Sequence, residues 1–147
     1  IGNQDFESMR MADDFYIDKT SFIKEWWENR DSVTLITRPR RFGKTLMLST
    51  VEKFFSIHYA GRAELFEGLS IWQQEEYRQL QGTYPVISVS FAQVKEICYE
   101  DAIWKIQEMI SSLYEQNSFL LEEKHIDNQA KEILQKINYY RLSDFEQ

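Results

Sequence analysis

The chain has 147 residues, 17 Lys plus Arg against 24 Asp plus Glu, and a single cysteine, Cys98. Its 43% hydrophobic and 15% aromatic content excludes a disordered chain, and its apolar runs are too short to span a bilayer. The lone cysteine excludes an internal disulfide, and the net charge of −7 argues against general nucleic-acid or anionic-membrane binding.

A cytoplasmic globular piece of one domain is therefore expected, with no signal peptide. The chain starts at Ile1 rather than Met and ends on Phe145, Glu146 and Gln147 without a tail, so it reads as a fragment of a longer protein.

In chain order, residues 1–31 read as a pre-strand segment and a helix. A short helical turn is expected around Phe6 to Met11, and Asp18 or Thr20 caps a helix running to about Asn29. Phe22, Ile23, Trp26 and Trp27 share one face of it. Residues 32–95 read as strand, loop, helix and second strand. Val33 to Thr37 is short, β-branched and nearly continuously apolar, the signature of a strand buried on both faces.

From Lys44 to about Tyr59 the pattern turns helical, with Met47, Val51, Phe54 and Phe55 on one stripe. A short turn between Gly61 and Gly68, a helix over 71–80 and a turn at 82–85 follow, and Pro85 opens a second strand through Phe91. Residues 96–147 read as helical. A long helix follows Asp101, a further one carries Ala130 to Ile137, and Ser143 caps another. Strands separated by helices predict an α/β fold with parallel strands, here two and hence an incomplete sheet with one face open to dimerisation.

Arg38, Arg40, Arg41 and Lys44 put four cations into seven residues of an acidic chain. They lie in Arg38-Pro39-Arg40-Arg41-Phe42-Gly43-Lys44-Thr45, between the expected strand and helix. Gly-Lys-Thr at the mouth of a helix suits phosphate. The helix start offers unpaired N–H groups, Gly43 removes a Cβ from their approach, Lys44 supplies a point charge, and the Thr45 hydroxyl can ligate magnesium. The general motif has Gly where this chain has Arg38.

Tyr16-Ile17-Asp18-Lys19-Thr20 together with Thr37 to Thr45 resembles the predicted AAA-ATPase-like family of bacteria and archaea, over residues 1 to about 95. Arg38 in place of Gly is that family's habit. The resemblance implies a P-loop NTPase-like core, ATP and Mg²⁺ as ligands, a role as a molecular switch or motor, and often a downstream PD-(D/E)XK nuclease-like domain. It also places the acidic Walker B strand after Gln147, because the 86–91 segment carries no acid.

Residues 38–45, with Tyr16 and Asp18 folding over the nucleotide, are the expected binding set. Lys44 acts on the transferred phosphate and Thr45 on the metal, and hydrolysis belongs to the full-length protein. The alternative is a non-catalytic module whose arginines grip an acidic protein or nucleic acid. Local chemistry reads Asp18, Lys19 and Thr20 equally as a helix cap with an exposed lysine. Trp26, Trp27, Trp72 and Trp104 read as core, Cys98 as a buried or incidental thiol, and His58 and His125 as too isolated for a metal site.

Overall fold

The computed structural model describes residues 3–119. The chain divides between Val86 and Ile87 into two compact units. The first holds α1 (Phe6–Met11), α2 (Ser21–Asn29), α3 (Lys44–Phe55) and α4 (Glu75–Arg78), joined by 3-10 turns at Ile57–Tyr59, Ala63–Leu65 and Ser70–Gln73. The second holds a 3-10 turn at Phe91–Gln93 and the long helix α5 (Tyr99–Gln116).

Two helices of the first unit start for plainly local reasons. The Asp5 carboxylate accepts from the Ser8 N–H and so caps α1. α3 begins at Gly43, whose left-handed backbone (φ 75°) turns the chain into the helix. One face of α3 buries Phe54 and Phe55, α1 contributes Phe6, α2 contributes Ile23, and the connecting turns add Leu65, Phe66, Leu69, Ile71 and Tyr77. The rings interlock: Phe6 stacks on Phe66 with centroids 5.2 Å apart, and Trp27 stacks on Phe55 at 5.4 Å.

Thr20, Thr50, Lys53 and Ser56 are polar side chains buried with this aromatic core, two of them within α3. Thr50 is fully buried and donates to the Leu46 carbonyl at 2.8 Å. Lys53 pairs with Asp5 at 2.8 Å, and its ammonium lies 5.1 Å from the centre of the Tyr59 ring. Burial works against the Lys53 charge, yet its hydrogen bond to Asp5 leaves its pKa above the ordinary lysine value. The α1 N-cap is thereby tied to the last turn of α3.

The expected α/β architecture is not what forms. Among the described residues there is no strand and no sheet, so the P-loop NTPase-like core with parallel strands flanked by helices is corrected to a helical arrangement. Neither 33–37 nor 86–91 finds a ladder partner among the described residues, and β propensity expresses packing against neighbouring strands more than a preference of the backbone itself. Val33 is 86% exposed and Leu35 83%, so the segment read as buried on both faces is open to solvent.

The parallel pairing that does form is the isolated Ser56–Tyr84 bridge. It stops there because the chain turns into a 3-10 helix at Ile57. The stretch 71–80 is likewise two short elements rather than one helix. Trp26, Trp27 and Trp72 pack on the core, whereas Trp104 on α5 is exposed. Cys98 is exposed too, accepting from the Asp101 N–H at the start of α5. The expected helix over 130–137 and the Ser143 cap lie outside the described residues. No helix among the described residues is long and apolar enough to cross a membrane.

Gly82 has the least room of the described glycines. Its N–H donates to the Phe54 carbonyl at 2.8 Å, its φ is 69°, and a Cβ there would stand 2.4 Å from Ala60 Cα. Gly61 has a similar φ of 80° but open space around it. Gly61→Ala should therefore cost only the left-handed penalty of about 1–2 kcal/mol. Gly82→Ala should cost clearly more, because backbone must also move. Urea unfolding of both variants checks this; equal losses would remove the steric argument.

Candidate functional site

The motif around Asp18 is a clasp. One carboxylate oxygen of Asp18 accepts from the Thr20 N–H at 2.8 Å and from the Thr20 hydroxyl at 2.6 Å. The other accepts from the Ser70 N–H at 2.7 Å and from the Ser70 hydroxyl. Thr20 is fully buried, and its Oγ1 accepts from the Ile71 N–H at 3.1 Å. The segment before α2 is thus bolted to the 3-10 turn at Ser70–Gln73.

Burial would raise the Asp18 pKa, but the bonds from Ser70 and Thr20 outweigh it and hold the carboxyl below its ordinary value. Tyr16 is engaged as well. Its ring meets Phe6 edge-on at 5.3 Å and its hydroxyl lies 3.5 Å from Thr50 Oγ1. Phe15 beside it is exposed.

The Arg38–Thr45 loop enters α3 through left-handed backbone at Arg41 (φ 67°) and Gly43. For an arginine that conformation stores about 1–3 kcal/mol of strain, a feature that concentrates at functional sites. No side chain caps α3, and the first helical bond from its start runs from the Met47 N–H to the Gly43 carbonyl. The N–H groups of Lys44, Thr45 and Leu46 therefore have no intrahelical acceptor.

Lys44 folds back over the loop, its Nζ donating to the carbonyls of Arg38 at 2.6 Å and Pro39 at 2.8 Å. Arg38 donates to the Thr37 carbonyl at 3.3 Å. Phe42 and Thr45 are exposed, as are Arg40 and Arg41. Among the described residues, none of the loop's four cations is ion-paired; the pairs that form involve Lys24, Lys53, Arg62, Arg78 and Lys105.

The structure also brings in a fifth cation. The ammonium of Lys19 reaches the loop, 3.5 Å from the Phe42 carbonyl and 3.8 Å from where a Cβ on Gly43 would sit. Sequence reading left Lys19 as an exposed neighbour of a cap. Its place inside the Tyr16–Thr20 motif was the available signal. Of the expected binding set, then, residues 38–45 form one exposed, donor-rich loop, while Tyr16 and Asp18 are held by core and turn partners. Among the described residues, no group of three or more His, Cys, Asp or Glu is placed to hold a metal ion without other ligands.

Comparison with known proteins adds two findings. The model of the family described as Predicted AAA-ATPase matches residues 1–144. An uncharacterized protein in the vnfD 5′ region of Azotobacter chroococcum mcd 1 is 37% identical over 92 residues, which is 62% of this chain and 16% of that protein. The chain thus spans a minor part of this relative's length. No solved structure matches.

Asp18→Asn should destabilise the chain without any ligand present, by about 1.5–3 kcal/mol, because an amide presents donors to groups that themselves donate. The pH dependence has a defined sign. A carboxyl with a depressed folded pKa, as Asp18 and Asp5 have, contributes stability above its unfolded value of about 4, lost as pH falls through the folded value. Urea midpoints should hold from about pH 7 to 5 and fall below about 4, with a smaller acid-side fall in Asp18→Asn. An unaltered midpoint in the variant at neutral pH would show that the clasp carries no stability.

Proposed function

The chain belongs to the Predicted AAA-ATPase family, and we propose that its Arg38–Thr45 loop holds the phosphates of ATP with Mg²⁺. The observation that carries this reading is an uncapped helix start behind a loop whose cations have no carboxylate partner among the described residues. Such a donor set fits a polyanion. The N–H groups of Lys44, Thr45 and Leu46 would donate to phosphate oxygens, and the helix dipole adds to the attraction.

Lys44 would exchange two neutral carbonyl acceptors for a charged phosphate oxygen, a stronger partner. Thr45 offers its exposed hydroxyl to the metal, and Arg38, Arg40 and Arg41 line the approach. Pro39 stiffens the loop entry and Phe42 precedes the glycine. Bound magnesium would supply charge neutralisation at the phosphate oxygens. Hydrolysis further requires a carboxylate to hold the metal through water and a residue to position the attacking water. This reading takes both from elsewhere in a longer protein, along with any nuclease-like domain that the ATPase drives.

Thermal unfolding with and without MgATP tests the proposal. At about 100 times its dissociation constant, a ligand bound only by the folded state adds roughly 2.7 kcal/mol, or roughly 8–10 °C in a chain of this size. The parent should show this rise. Lys44→Ala should lose it while its ligand-free midpoint stays close to the parent's. A parent indifferent to MgATP, paired with acidic-polymer binding that collapses as salt rises, would overturn the nucleotide reading in favour of an interaction module.

A further inference from the structure

We propose that Lys19 is a second phosphate-holding lysine, working across the loop from Lys44; this rests on the nucleotide reading above and extends it to a residue outside the loop.

Three observations converge on it. The backbone on both sides of Lys19 is fixed: Asp18 bonds Ser70 and Thr20, Thr20 is fully buried against Ile71, and the Lys19 carbonyl accepts from the Phe22 N–H at 3.1 Å. An otherwise flexible side chain therefore projects from a rigid base. Its ammonium then lies over the Phe42–Gly43 end of the loop. Lys44 is anchored instead at the Arg38–Pro39 end. The two ammoniums thus attach to different residues of one short loop, so that each is available to a separate oxygen of a chain of linked phosphates.

Neither lysine is neutralised. Each donates to backbone carbonyls, and among the described residues no carboxylate pairs with either. At 3.5 Å the bond from Lys19 to the Phe42 carbonyl is long, so little is lost when that ammonium turns to a phosphate oxygen. Gly43 belongs to the same logic, because its missing side chain leaves open the space that the Lys19 ammonium overlooks.

Lys24 provides the control. It sits on α2 close in sequence but engages Gln74, Glu28 and the Tyr77 ring instead of the loop. Affinities for MgATP and for inorganic tripolyphosphate should be measured by calorimetry in the parent, Lys19→Gln, Lys19→Arg, Lys24→Gln and Lys44→Ala, with ligand-free melting recorded for each.

Lys19→Gln should weaken both ligands about ten- to a hundredfold, as expected for one charge-assisted bond, at an unchanged ligand-free midpoint. Lys19→Arg should recover most of that loss, and Lys24→Gln should bind within about threefold of the parent, since it changes only distant charge. Parent-like binding by Lys19→Gln, with binding lost in Lys44→Ala, would overturn the Lys19 assignment and leave the loop reading standing. Weakening for ATP but not for tripolyphosphate would also overturn it, placing Lys19 on the nucleoside. Equal weakening in Lys24→Gln would reduce the effect to net charge. A parent that binds neither ligand would sink both readings together.

Discussion

The first unit depends on one carboxylate. Asp18 takes bonds from two stretches of chain about fifty residues apart in sequence, and with them it decides where α2 begins. With Thr20 locked against Ile71, the α2 face that carries Ile23 has a single way to meet the core, and Trp26 and Trp27 follow it onto Phe55. Charge makes the arrangement strong: ionised acceptors bind donors more tightly than neutral ones do, and the same bonds from Ser70 and Thr20 hold the Asp18 carboxyl below its ordinary pKa. The clasp also connects fold to site, since the residue between its two anchored neighbours is the lysine that overhangs the loop.

That loop is held in a costly shape by modest partners. Arg41 sits in left-handed backbone that an arginine adopts reluctantly, and Lys44 is tethered by the carbonyls of its own turn. The acceptors of Arg38 and Lys44 are neutral carbonyls, which leave the loop's positive charge uncompensated and favour an anion. By contrast, the cation buried deeper in the unit, Lys53, is satisfied by a carboxylate and an aromatic ring, and its role is structural. Charge of one sign serves opposite purposes in the two places because one has its counter-ion built in and the other does not.

Helices were the legible part of the fold. The turn at Phe6–Met11 and the helix ending at Asn29 follow from apolar spacing, which is local, although neither Asp18 nor Thr20 caps an N–H of α2 as the sequence predicts. The helix from Lys44 is legible in the same way, although its buried face also takes Thr50 and Lys53, which a hydrophobic pattern passes over. Val33 to Thr37 and the stretch from Val86 misled because composition records β propensity while a strand requires a partner. Tyr16 and Asp18 read two ways in the sequence for a related reason. Residues that suit a ligand site suit a polar clasp equally well, and only their neighbours in space tell the two apart.

Sequence by itself determined the positions of α1 and α2, the start of α3, the cationic loop ahead of it and membership of the family, because each depends on residues close together along the chain. Tertiary structure alone decided that the β-branched segments stay unpaired among the described residues, that Asp18 spends its oxygens on Thr20 and Ser70, and that Lys19 reaches Gly43. The physical reason is distance along the chain. Lys19 and Gly43 are 24 positions apart, Asp18 and Ser70 are 52, and no local propensity or periodicity carries information across such a gap until the core has closed.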